Sequence, residues 1–289
     1  MNIEDRVKIL QKLGEGTFGV TYLVENRAGR LLAMKAIDIE KSTRYGLNED
    51  AIMNEIYTLL TLSSDPDCFP SIVCYHGYYR GKLYGRDTIA IFSYYVEGPT
   101  LHEYLENLRK TNRIPRPSTL VYYMRQLLEA VARVHEKGYA HRDIKPGNIV
   151  FDKENDTMVL IDFGVSCQDP CSGTPGTPRW MPPESFNFFT YSNSLALAQA
   201  HDIWSLGLVF YELANLRLPF DDPINDPADA IKLTPVDTTV SDPDEPIPAS
   251  NKVTYLINQM LNKNWKNRPS TSQLLNYIKN INNPSVGYF

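Results

Sequence analysis

The sequence has no apolar run approaching the roughly 20 residues that a membrane-spanning helix needs, so no membrane partner is expected. It also lacks a basic excess. Twenty-nine Lys and Arg stand against 34 Asp and Glu, a net charge of −5. Gripping a phosphate backbone favours a basic face, so nucleic acid is not expected as a partner. Cysteine is scarce. Cys68, Cys74, Cys167 and Cys171 are not spaced as zinc ligands, and no His pair follows at a ligand interval. Free thiols in a reducing, intracellular setting are expected, in the cytoplasm or the nucleus, with a regulatory disulfide between Cys167 and Cys171 as the alternative. The opening Met1-Asn2-Ile3-Glu4-Asp5 is polar and acidic, unlike a signal or transit peptide. No internal repeat is found.

What is present suits a soluble globular protein: 289 residues, 43% hydrophobic and 22% charged. That length allows one large domain or two modest ones. Two styles of sequence meet near residue 95. Before it, residues 7–13 and 20–25 read as strands around Gly14-Glu15-Gly16-Thr17-Phe18-Gly19, and 31–37 as a third. Residues 48–62 read as a helix capped by Asn48, with Met53, Ile56 and Leu60 on its apolar face. Residues 72–79 and 88–95 complete a sheet of about five strands.

Beyond Gly98 the period turns helical. Thr100-Leu101-His102-Glu103 is a capping-box pattern. Ser118 opens a longer helix, with Val121, Met124, Leu128, Val131 and His135 in phase, and Gly138 ends it. Residues 202–215 are apolar nearly all round, as in a buried helix. Met260, Trp265 and Leu274 mark further helices, and 221–250 reads as a long loop with a short helix.

The glycine run alone is weak, since dinucleotide-binding folds space glycines similarly. There, however, the last glycine opens a helix, whereas Val20-Thr21-Tyr22-Leu23-Val24 follows here. A glycine hairpin between strands can lay backbone N–H groups over phosphates. Lys35 follows the apolar Leu31-Leu32-Ala33-Met34, and a charge in such a strand needs a partner or a ligand. Glu55 on the following helix can pair with it and aim the ammonium at phosphates, with Glu49 as competing partner.

The central run is His141-Arg142-Asp143-Ile144-Lys145-Pro146-Gly147-Asn148. Phosphoryl transfer needs a carboxylate to orient the attacking hydroxyl, oxygen ligands for a metal, and cations for the spread charge. Asp143, Asn148 and Lys145 supply these types in turn. Asp162, closing Leu160-Ile161-Asp162-Phe163-Gly164, offers a second hard oxygen ligand.

With these motifs in this order, residues 7 to 280 resemble the eukaryotic protein kinase family. The resemblance implies an α+β, bilobal fold: a five-stranded antiparallel N-lobe sheet plus one helix over residues 1–94, a hinge at 95–98, and a mainly helical C-lobe over 99–289. It implies a serine/threonine protein kinase using ATP and Mg2+. Catalytic residues would be Asp143 as base, Lys145, Asn148 and Thr177, with Asn148 and Asp162 holding the metal. The nucleotide would be bound by Gly14, Glu15, Gly16, Thr17, Phe18, Gly19, Thr21, Ala33, Lys35, Glu55, Ser93, Tyr94, Val96, Val150 and Asp162. Ser93 would guard the back of the adenine pocket, and the Tyr94 carbonyl and Val96 N–H would bond adenine.

Gly176-Thr177-Pro178 and Met181-Pro182-Pro183-Glu184 resemble the end of an activation segment, with Glu184 paired to Arg268. Asp202 would brace the catalytic loop. Two departures stand out: Thr21 replaces the family's usual valine, and Pro182 takes the place of an alanine. Neither removes a phosphate-handling group. Lys145 matches the serine/threonine form of the family. Arg142 suggests control by phosphorylation at Ser166, Ser172 or Thr174, through an activating kinase or autophosphorylation. Protein substrates with Ser or Thr acceptors and a monomeric state are the expected partnership.

Overall fold

Runs rich in Val, Ile and Tyr favour extended backbone, and in the computed structural model the early runs form five strands. These are β1 (Val7–Glu15), β2 (Gly19–Asn26), β3 (Leu31–Asp38), β4 (Tyr75–Leu83) and β5 (Arg86–Tyr94). The structure describes residues 2–16, 19–64, 66–186, 193–220 and 248–281; Thr17 and Phe18 lie outside them, as does 221–247 of the anticipated loop. The chain divides into two units, Met1–Glu97 with Asp162–Gly164, and Gly98–Ile161 with Val165–Phe289.

In the first unit the antiparallel sheet runs β1-β2-β3-β5-β4. Thr21 pairs with Lys35, Ala33 with Ser93, and Lys35 with Ile91. Opposed residues and those two apart share a face, so Thr21, Ala33, Lys35 and Ser93 line one side. The other side packs Val24, Leu32, Met34, Ala90 and Phe92 with Ile3 and Leu83. Register thus puts Leu32 and Met34 on the packed side and Lys35 on the opposite face, beside buried Ile91. A Cβ on Gly19 would run into the Ala36 carbonyl, so only glycine lets β2 approach β3 there.

Two helices accompany this sheet. The short α1 (Ile39–Arg44), capped by the Asp38 side chain, was not anticipated from the sequence. The helix α2 (Glu49–Leu62) is capped by Asn48 as expected, its side chain accepting from the Ala51 N–H at 3.0 Å. Its buried face differs from the expected one. Ile52, Glu55, Ile56, Leu59 and Leu62 turn inward, while Leu60 is 52% exposed. Apolar residues surround this helix, and the Glu55 pairing described below selects its phase.

In the second unit, α3 (Leu101–Thr111) begins with the complete Thr100–Glu103 capping box. The helix α4 (Pro117–Glu136) begins at Pro117, not Ser118. A proline suits that first position, where no N–H partner exists. Gly138 follows its end at φ +77°, in the left-handed region. The ribbon β6 (Ile149–Asp152) and β7 (Thr157–Leu160) comes next. The helix α5 (Leu195–Asn215) starts seven residues before the expected point, capped by Ser194, and is buried without a break over 201–214. A Cβ on Gly207 would lie 2.9 Å from the Met260 Cβ, so that glycine lets α6 (Pro248–Met260) settle on α5. Trp265 falls in a single 3-10 turn, and Leu274 in the last helix, α7 (Thr271–Ile281).

The expectation of free thiols fails. Cys68 is bonded to Cys74 and Cys167 to Cys171, with Cα atoms 5.2 and 5.4 Å apart. Both separations fall in the bridging range, set by loop paths that cysteine spacing does not disclose. Among the described residues no helix is long and apolar enough to cross a membrane.

Candidate active site

In the first unit the glycine run lies between two strands and opens no helix. Gly14 pairs with Thr21, and the Gly16 N–H donates to the Gly19 carbonyl at 2.9 Å. Glu15 takes the Lys12 ammonium at 2.6 Å. Lys35 projects from the middle of β3 into two carboxylates. Its Nζ lies 2.7 and 3.0 Å from the Glu55 oxygens and 2.8 Å from Asp162 Oδ1. The competing Glu49 is held elsewhere, bidentately by Arg80 at 2.8 and 3.0 Å.

Burial works against charge at this cluster. It pulls the Lys35 ammonium down, but Asp162 and Glu55 more than reverse it and leave its pKa raised. Burial pushes the Glu55 carboxyl up, against the pull of Lys35. Asp162 sits at φ +61°, a backbone region that non-glycine residues seldom occupy. A Cβ on Gly164 would stand 2.9 Å from Lys35 Nζ, 3.2 Å from Glu55 Oε2 and 3.3 Å from Asp162 Oδ1. The bare backbone there leaves room for all three charged ends. Nothing in the composition of the sequence marks that glycine; its spacing from Asp162 is the only signal.

At the end of β5, Ser93 is half-buried beside Ala33, and the Tyr94 N–H donates to the Cys74 carbonyl at 2.9 Å. Val96, also half-buried, follows the strand.

In the second unit Asp143 is the centre of a hydrogen-bonded set. Its Oδ1 accepts from the Thr177 N–H at 2.9 Å and from Thr177 Oγ1 at 2.7 Å. Its Oδ2 accepts from Lys145 Nζ at 2.7 Å and Asn148 Nδ2 at 2.9 Å. Lys145 Nζ also donates to Thr177 Oγ1 at 2.6 Å, and Asn148 Nδ2 to the Asp143 carbonyl at 2.9 Å. Three of the four residues come from one short loop, and Thr177 from a segment 29 residues after Asn148. Val150 is buried in β6, just past Asn148.

This loop is held from beneath by α5. Asp202, fully buried, accepts the His141 N–H at 2.8 Å and the Arg142 N–H at 2.7 Å. His135 Nε2 lies 2.9 Å from the same carboxylate. Burial pushes the Asp202 carboxyl up, yet these partners outweigh it and hold its pKa below the ordinary range. By spacing alone His135 is one more position on the apolar stripe of α4. A histidine on such a stripe is itself a sign of a buried hydrogen bond.

Arg142, at φ +67°, donates Nε to the Val165 carbonyl at 2.7 Å and Nη1 to the Ser172 carbonyl at 2.8 Å. Glu184 and Arg268 form a bidentate pair at 2.5 and 2.8 Å. Of the three hydroxyls considered for phosphorylation, Ser166 is buried, Thr174 half-buried and Ser172 exposed.

No cluster of three or more His, Cys, Asp or Glu that could hold a metal occurs among the described residues.

A family model described as protein kinase domain matches residues 7–278. The chain is 30% identical over 273 residues to mitogen-activated protein kinase kinase kinase 3 of Arabidopsis thaliana, covering 92% of this chain and 41% of that one. It is 30% identical over 269 residues to serine/threonine-protein kinase Nek8 of Danio rerio, covering 91% and 35% respectively. With serine/threonine-protein kinase nekl-2 of Caenorhabditis elegans it shares 29% over 288 residues, covering 94% and 73%. The chain thus spans less than half the length of the first two relatives.

Proposed function

We infer that this chain, which belongs to the protein kinase family, transfers the γ-phosphoryl group of Mg-ATP to serine or threonine hydroxyls of protein substrates. The observation that carries this reading is the anchoring of Asp143 through both carboxylate oxygens by Thr177, Lys145 and Asn148. A carboxylate so fixed can orient an acceptor hydroxyl and take its proton as the new O–P bond forms. The Lys145 ammonium, on the same carboxylate, offsets negative charge on the transferred group.

Lys35, kept charged by Glu55 and Asp162, is the residue to hold the nucleotide's phosphates. Asn148 and Asp162 would hold magnesium; when bound, the ion neutralises phosphate charge and orients the transferred group. Thr21, Ala33 and Ser93, on the Lys35 face of the sheet, are assigned to adenine, with Tyr94, Val96 and Val150. The domain plan follows the same reading: an N-lobe over 1–94, a hinge over 95–98 and a C-lobe over 99–289. Curated relatives named serine/threonine kinases support the acceptor type.

The test is labelling of a generic Ser/Thr protein substrate, or of the chain itself, with γ-labelled ATP and magnesium. Asp143→Asn should lower turnover by about 10²–10⁴-fold, the usual worth of a positioned base. Wild-type turnover in that variant would overturn the mechanism.

A further inference from the structure

The Cys167–Cys171 disulfide lies in the segment that delivers Thr177 to Asp143, and the reactions assigned to the site make no use of it. We propose that this pair is a thiol–disulfide switch, whose oxidised form holds the Asp143–Lys145–Thr177 geometry and whose reduced form releases it. The proposal rests on the kinase reading above for its effect on turnover.

Three observations carry it. First, both cysteines are tied by backbone hydrogen bonds to neighbouring segments, one leading into the catalytic loop and one leading into α5. Cys167 and Ala140 exchange N–H to carbonyl bonds at 2.9 and 3.0 Å, immediately before His141. The Cys171 N–H donates to the Asn193 carbonyl at 2.9 Å, immediately before the Ser194 cap of α5. Second, the guanidinium of Arg142 clasps the carbonyls of Val165 and Ser172, which flank the bridge on either side. Further on, Gly176 at φ +131° lies so close that its Cβ would stand 2.7 Å from the Arg142 carbonyl. Thr177 then reaches Asp143. The path from bridge to base is continuous. Third, the bridge closes a loop with a sequence separation of only four. A disulfide constrains the unfolded chain least when its loop is short, so this one acts mainly on local geometry.

The surroundings suit exchange by local opening. Both sulfurs are buried against Ala140 and Ala198, but Gln168, Asp169 and Pro170 between them are exposed. A dithiol reductant attacks one sulfur to give a mixed disulfide, then closes on itself and expels the second cysteine as a thiol. Two electrons and two protons pass to the cysteines, and the reductant leaves as a cyclic disulfide. Glutathione disulfide reverses the change, taking up the same two electrons and two protons.

The test uses the whole chain carrying Cys68→Ser and Cys74→Ser, so that Cys167–Cys171 is the only redox couple. Dithiothreitol reduces it, alkylation and mass measurement count the thiols, and glutathione disulfide restores the bridge. Amide hydrogen exchange is read over 140–177 alongside phosphoryl transfer. Reduction should speed exchange at Ala140, Cys167 and Thr177 by at least about tenfold, and lower turnover by about tenfold or more, both reversibly. Adding Cys167→Ser and Cys171→Ser should fix the chain in the reduced behaviour.

Unchanged exchange in a chain proven to be reduced overturns the proposal. So does turnover that is present and equal in both states. Altered exchange with no turnover in any state supports the coupling and counts against the kinase reading instead.

Discussion

Replacing Arg268 by leucine separates the stability of the second unit from its chemistry. The arginine side chain is 0% exposed and its partner Glu184 12%. Besides the two bonds to Glu184, it donates to the Ala200 carbonyl at 3.0 Å and the Asn262 carbonyl at 2.9 Å. Its guanidinium carbon lies 5.0 Å from the centre of the Trp204 ring. Leucine keeps most of the apolar stem but strands a carboxylate and two carbonyls. Breaking a buried pair from one side costs about 3–5 kcal/mol, largely because the remaining charge is left uncompensated. For a unit of this size that corresponds to a fall of about 10 °C in Tm.

Removing both charges should cost less than the sum of the single changes. Arg268→Leu with Glu184→Leu is therefore expected to be more stable than Arg268→Leu alone, with a coupling of about 1–3 kcal/mol. Thermal and urea unfolding of wild type, both single variants and the double variant complete the cycle. An Arg268→Leu protein melting within about 2 °C of wild type, or strict additivity in the cycle, would refute the reasoning.

Gly164→Ala is expected to do the reverse, sparing stability while removing function. The atoms nearest its added methyl are the flexible ends of Lys35, Glu55 and Asp162, so stability should fall by less than about 2 kcal/mol while turnover falls at least tenfold; intact turnover would show that the three charges are not needed together. His201 predicts an acid limb. Burial lowers its pKa from 6.5 to about 4, so on acidification the unfolded chain takes up the proton first. Its contribution is whole above pH 6.5 and is lost towards pH 4, about 3 kcal/mol in all. Urea midpoints of His201→Gln should be flatter than wild type across that window, and parallel curves would count against this assignment.

The sequence was most readable where one residue type has one physical use. Asn48 and Thr100 cap helices because short polar side chains satisfy open N–H groups. Lys35 in an apolar strand announced a partner, and Glu55 is that partner. Reading failed where tertiary contacts choose between local equals. Apolar residues surround α2, so periodicity alone allowed the Met53–Leu60 stripe, and the bond to Lys35 selects the Ile52–Leu59 side. Cysteine pairing was hidden for a related reason: bridging depends on how a loop turns back, and the spacing of Cys167 and Cys171 also fits two thiols. Residues 195–201 are as apolar as the stretch that follows, and the Ser194 cap starts α5 seven residues before the expected point.

The bond between Asp202 and the amides of His141 and Arg142 has a genetic consequence. It makes the position of Asp143 an attribute of α5, whose side chains from His201 to Ala214 are buried. Substitutions at Trp204 or Phe210 touch no reacting atom, yet they move the platform on which the carboxylate stands. A collection of inactivating alleles in this chain should therefore fall into two groups, one at the loop and one along α5. Only the ability of purified protein to keep its melting temperature would tell the groups apart.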